Sequence, residues 1–294
     1  MGVPLPPQTS GRGRECTVGM SAVGAGGLRG AIRAHRLVAF AAIVVLLTLA
    51  VAVAGLDRNT APFALVFVPA IAAIVVAGLA DGPAAIGRLF RRIARWRVSP
   101  RWYLAAVGVP LVMWLGIDAL AIATGTPSSG MFHNLGEVPL VALVVLLPAL
   151  IEEFGWRGYA LPISSRSWPV LVAALVVGLL FIVPHLALYL PGGLYDNLPL
   201  WPLPLILLSY AVILAWAYFG SGGSAFIAAL MHAGFNGFTP LSRGIDPARE
   251  WELHGIVVTV VAIAIVLLTP WLRRPLFDRA ARPGGQPLLL EAPA

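Results

Sequence analysis

Apolar residues run along this chain in blocks of about twenty, broken by short polar or glycine- and proline-rich intervals. A hydrocarbon core about 30 Å thick needs a helix of about 20 residues, so each block predicts a membrane-spanning helix. The blocks are 37–56, 61–80, 102–124, 138–161, 168–190, 198–220, 223–240 and 253–272. They predict an all-α polytopic membrane protein of about eight transmembrane helices, with a single transmembrane domain over 37–272 and tails at 1–36 and 273–294. Residues 1–36, rich in Gly, Pro, Ser and Arg and without apolar periodicity, are expected to form a disordered cytoplasmic tail, in which Met20 competes with Met1 as the true start. Residues 273–294 read as a second cytoplasmic tail. The first block follows Arg33 and Arg36, and Ala52-Val53-Ala54 imitates a cleavage site, but its apolar stretch is too long for a signal peptide and reads as an anchor.

Between the second and third blocks the pattern changes. Ile86, Leu89, Phe90, Ile93 and Trp96 recur at helical spacing, while Arg88, Arg91, Arg92, Arg95 and Arg97 fill the remaining face. This predicts an interfacial amphipathic helix. Anchoring on anionic lipid is its plain role, and a regulatory, calmodulin-like contact is the rarer use of the same pattern. No repeat is visible in residues or hydropathy, which weakens the case for a transporter built from inverted halves.

Composition removes the soluble alternative: 59% of the 294 residues are hydrophobic and 11% charged, against about 25% charged in soluble domains, and the mean hydropathy is +0.87. A net charge of +7 would suggest nucleic acid in a soluble protein. In a membrane protein, basic residues hold cytoplasmic loops at the anionic leaflet, so nucleic acid is not an expected partner. With the N-terminus inside, seventeen of the twenty arginines fall in cytoplasmic segments and only Arg58, Arg243 and Arg249 outside. Both termini are therefore expected in the cytoplasm. Every basic residue is Arg, and Ala, Val, Leu, Gly and Pro abound, a bias that suggests a GC-rich prokaryotic source and a prokaryotic cell membrane. The single cysteine, Cys16, can form neither an internal disulfide nor a thiolate zinc site.

Ionisable side chains at mid-bilayer cost about 2.5–3.5 kcal/mol each and are usually retained for function. Here they cluster: Glu152, Glu153 and Arg157 in the fourth block, His185 in the fifth, His232 and Asn236 in the seventh. Glu153 and Arg157 stand at i and i+4 and can pair, while Glu152 points about 100° away and is left free. Phe181 with His185, and His232 with Asn236, share the same spacing. The turn between the fourth and fifth blocks, around Pro162 to Pro169, lies midway between Glu152 and His185, which puts them at similar depth. Two imidazoles, a carboxylate and an amide can form a metal site with an open position, or a general base with an oxyanion stabiliser, and both activate water. The zinc-protease signature H-E-x-x-H is absent from the sequence.

These residues resemble the CAAX proteases and bacteriocin-processing enzymes, the CPBP or Abi-type intramembrane proteases. The family's motifs E-E-x-x-x-R, F-x-x-x-H and H-x-x-x-N occur in order as Glu152-Glu153-x3-Arg157, Phe181-x3-His185 and His232-x3-Asn236, within residues 138–240. The resemblance implies an eight-helix endopeptidase of the type II CAAX-processing class, acting on a membrane-associated or lipid-modified peptide or protein. Glu152 would be the general base, His185 would orient the water or a metal, and His232 with Asn236 would stabilise the oxyanion or complete the site. Glu153 and Arg157, with Phe181, would brace the site. A metal is left open by the resemblance; if one is present, Glu152, His185 and His232 would hold it, and zinc would suit them. Where relatives often carry Trp, this chain has Pro184, which should kink the fifth span and could shift His185 in depth.

Each of these residues alone has a structural explanation, since Glu–Arg pairs lock helix ends and intramembrane histidines bond neighbouring helices. Asp118 in the third block has no evident partner, and His133 and His254 fall near the boundaries of outside loops. A peptidase working from the cytoplasmic half of the bilayer is the leading expectation. Its rivals are a polar-lined transporter or proton-coupled channel, because Glu and His chains also relay protons, and a non-catalytic scaffold of the bacteriocin-immunity kind.

Overall fold

The computed structural model describes residues 24–129, 136–242 and 244–275, with the short segments 277–278 and 288–289. Eleven helices occupy them: α1 Gly24–Ala34, α2 Arg36–Val53, α3 Ala61–Asp81, α4 Pro83–Ile93, α5 Pro100–Ala123, α6 Val138–Gly155, α7 Leu161–Ser164, α8 Val170–Leu186, α9 Pro202–Gly220, α10 Ala225–Gly237 and α11 Pro247–Leu268. A two-residue antiparallel pairing of 277–278 with 288–289 is the one extended element among the described residues. The starts are written in the sequence. Pro62, Pro83, Pro100, Pro202 and Pro247 all stand in a first turn, where the missing N–H costs nothing.

Seven helices among the described residues are long and apolar enough to cross a membrane, and they coincide with seven of the eight expected spans. The exception is 223–240, where α10 has only 13 residues, about 20 Å at 1.5 Å per residue. Gly222 and Gly223, both at positive φ, form the turn before it, and a 3-10 turn at Thr239–Ser242 follows it. The N-terminal expectation also needs correction. Residues 1–23 lie outside the described segment, but 24–34 are helical, and Arg33 and Arg36 both reach Asp81 at the end of α3, at 3.6 and 2.7 Å. That carboxylate gives α1 and the start of α2 a fixed partner, which a disordered tail would lack.

The amphipathic segment forms α4 as far as Ile93, with Ala85 and Leu89 buried against the bundle and Arg88, Phe90 and Arg91 exposed, as is Trp96 in the non-helical stretch that follows. Helix α8 packs against α7 and the turn before it at the end of the α6 rod, and against α9, while α10 packs between α6, α5 and α9. Close approach depends on glycine. A Cβ on Gly155 would lie 2.3 Å from the Pro69 backbone of α3, and one on Gly234 would lie 2.8 Å from Pro110 of α5. Trp114 of α5 donates its indole N–H to the Phe235 carbonyl at 2.9 Å, which holds α10 a second time.

Candidate active site

Where α6 should end, the chain makes one π-helical turn, Trp156–Ala160, before α7 continues the same rod. Its cause is local. Pro162 cannot donate to the Gly158 carbonyl four residues back, and the guanidinium of Arg92 on α4 donates to that carbonyl. Single π turns inside α-helices often accompany functional positions. Here the turn lies directly after the two glutamates and contains Arg157.

Arg157 and Glu153 are 1% and 0% exposed, and their Nη1 and Oε1 are 2.7 Å apart. The same Oε1 accepts the Nδ1–H of His232 on α10 at 2.9 Å. One carboxylate therefore ties α10 to α6 and neutralises a buried guanidinium, which also lies 5.5 Å above the Phe181 ring. Phe181 is the spacer of the site. It meets His185 edge-on at 4.9 Å, His232 edge-on at 5.9 Å, and Trp156 at 5.4 Å.

His185 donates Nδ1–H to the Phe181 carbonyl at 2.9 Å. A neutral ring with Nδ1 committed to an acceptor has its lone pair on Nε2, and this holds for both motif histidines. Pro184 stands in the last turn of α8, with a 3-10 turn beginning at Ala187, so the helix is released only after His185.

Glu152, His185, His232 and Asn236 line one cavity of about 320 Å³, a volume suited to a few residues of a peptide. Glu152, free of the Glu153–Arg157 pair, is only half-buried because its carboxylate faces this space. Pro69, Pro148 and Pro184, each inside a helix, line it too. Backbone left unpaired by proline at membrane depth is tolerated where it borders such a cavity.

The tautomers of His185 and His232 would also suit metal ligands, whose second nitrogen usually bonds a carboxylate or carbonyl. Among the described residues, however, no three His, Cys, Asp or Glu side chains gather closely enough to hold an ion. The chemistry open to the site is set by its own side chains: a carboxylate, two imidazole lone pairs and an amide around one mainly apolar space.

Four lining residues were not expected: Tyr195, Tyr210, Trp251 and His254. His254 is not at a loop boundary but in the second turn of α11, buried, with Nε2 2.5 Å from the Tyr210 hydroxyl and the ring 5.0 Å from Trp114. The signal for this was present: Asp246 accepts from Arg249 N–H as an N-cap ahead of Pro247, starting α11 six residues before the expected 253. Tyr195, in the loop after α8, stacks on His185 at 6.4 Å. Burial, with the negative charge of Glu152 adding to it, pushes its phenol above the ordinary value, so it stays a neutral donor. Asp118 has a partner after all, the Ser128 hydroxyl, while His133 lies outside the described residues.

The cavity occupies the half of the bundle away from the arginine-rich end. Its walls come from the start of α3, the end of α8 and the start of α11, whereas Arg92, Arg95 and the Arg33–Arg36–Asp81 cluster mark the opposite end.

No curated protein matches the chain. The family model described as Rce1-like, type II CAAX prenyl endopeptidase Rce1-like, matches residues 134–238, the stretch that contains α6 to α10 and all three motifs. Over that stretch the chain is similar to the type II CAAX prenyl endopeptidases, and Glu152, His185, His232 and Asn236, which line the cavity, all fall inside it.

Proposed function

We propose that this protein is an intramembrane endopeptidase that hydrolyses a peptide bond of a membrane-associated substrate with water activated by Glu152. The observation that carries the reading is the meeting of Glu152, His185, His232 and Asn236, from three helices, in one cavity. Glu152 is the group free to take a proton, because Glu153 is spent on Arg157 and His232. The water lies between Glu152 and Nε2 of His185. Glu152 takes one proton as the oxygen attacks the carbonyl carbon, and Nε2 of His185 accepts a hydrogen bond from the O–H that remains and so aims the lone pair. The oxyanion that forms takes hydrogen bonds from the Asn236 carboxamide and, when its ring is protonated, from Nε2–H of His232. Collapse breaks the C–N bond, and Glu152 returns its proton to the leaving amine. General acid–base groups contribute about 10²–10⁴ in rate, so Glu152→Gln should lower cleavage by that factor with the fold intact.

The test is N-terminal proteomics of membranes carrying the wild-type protein or Glu152→Ala. New N-termini found only with the wild type support the reading, and would identify the substrate. Identical sets from both would overturn it, as would purified Glu152→Ala, His185→Ala and His232→Ala variants that cut an identified substrate at the wild-type rate.

A further inference from the structure

We propose that the substrate peptide reaches Glu152 from the membrane face opposite the arginine-rich one, so that the enzyme acts on segments already carried across the membrane. The placement of the cavity relative to charge carries this. Phe63, in the first turn of α3, lines the cavity and is well exposed, whereas Asp81, at the other end of α3, binds Arg33 and Arg36 and leads into α4. Eighteen residues separate them, which at 1.5 Å each is about 27 Å, close to the whole hydrocarbon thickness of about 30 Å. The other walls agree. His185 stands in the last turn of α8, which begins after Arg166, and Trp251 and His254 stand in the first two turns of α11, which runs toward Arg273 and Arg274.

Two independent contacts fix which ends share a face. Arg92 reaches Gly158 at the end of α6, and the Ser224 hydroxyl at the start of α10 donates to the Arg95 carbonyl at 2.5 Å. Thirteen of the fifteen arginines among the described residues fall in segments on that face, and such an excess sets it toward the cytoplasm. The exposed members of the cavity wall, Phe63, Leu194 and Asn236, all lie at the far end and mark its mouth. That mouth is rimmed by Phe63, Tyr195 and Trp251, large and uncharged, which fits a neutral, apolar stretch beside the scissile bond. A cytoplasmic prenylated C-terminus would meet the wrong face.

That the ligand is a peptide rests on the peptidase reading; the orientation does not, and the experiment separates them. In a Cys16→Ser background, Leu194→Cys and Asp196→Cys, both in the loop at the mouth, and Arg88→Cys on α4 are treated with a membrane-impermeant maleimide in intact bacterial cells and again after permeabilisation. The expected result is labelling of both loop cysteines in intact cells, with Arg88→Cys labelled only after permeabilisation. The reverse pattern, or labelling of Arg88→Cys in intact cells, overturns the proposal. Cleavage is scored separately by comparison with Glu152→Ala: outward labelling without any Glu152-dependent cleavage leaves the orientation standing and removes the peptidase.

Discussion

Glu153 is the residue on which the site is hung, although it does not line the cavity with Glu152. Its Oε1 takes hydrogen bonds from Arg157 and His232 at once, in surroundings that exclude solvent. Removing one member of a buried ion pair leaves the other charge without compensation and costs about 3–5 kcal/mol. Arg157→Ala should therefore lower the thermal unfolding midpoint in detergent sharply, and Glu153→Ala should do so while also freeing the His232 ring. Asn236 is different, being exposed at the cavity mouth and outside that network. Asn236→Ala should leave the midpoint nearly unchanged and lower kcat by about 10²–10³, the usual loss for one oxyanion donor. A large fall in midpoint with Asn236→Ala would show that it holds structure instead.

Among the elements, α6 is held to α3 by the absence of a side chain. Gly155→Ala would put a methyl 2.3 Å from the Pro69 carbonyl, where backbone and not a flexible side chain must yield. The π turn that follows leaves little freedom to slide α6 away, so this variant should lose folded protein and activity together. Gly108→Ala in α5 is the matched control, because nothing lies within 4 Å of its Cβ position, and removing a mid-helix glycine should gain up to about 1 kcal/mol. Thermal unfolding of the two purified variants checks both directions. The same element shows what sequence could supply. The i,i+4 spacing of Glu153 with Arg157 fixed their pairing, and the midway turn between the fourth and fifth blocks predicted a similar depth for Glu152 and His185, which line one cavity. The second partner of Glu153 could not be read, because which helix meets that carboxylate is decided by packing. Nor could the shortness of α10, since Phe238 and Pro240 extend its hydropathy beyond its hydrogen bonds. Faces were equally hidden. Leu104, Val53 and Leu268 are as apolar as the core yet strongly exposed, because lipid removes the contrast by which buried positions are recognised in soluble helices.

For the molecule as a whole, the division between an arginine-rich end and a cavity-bearing end makes lipid charge a determinant of stability. On α4 and the segment after it, Arg88, Arg91, Arg95 and Arg97 are exposed beside Phe90 and Trp96, while Leu89 holds the helix to the bundle. Rings that enter the acyl boundary leave the guanidinium groups at headgroup level, and each is worth about 1 kcal/mol against an anionic surface. Because α4 also supplies Arg92 to Gly158 and sits against the end of α6, its docking bears on the rod that carries both glutamates. Protein reconstituted in bilayers containing anionic lipid should thus unfold at a higher temperature than in zwitterionic bilayers. The difference should shrink in the Arg88→Ala/Arg91→Ala double variant and in high salt, where the Debye length falls to about 3 Å at 1 M. Equal midpoints in the two lipids at low salt would show that the arginine face does no more than orient the chain during insertion. A lipid effect that survived the double variant would place the contact elsewhere on that face, with Arg29 and Arg33 of α1 the next residues to replace.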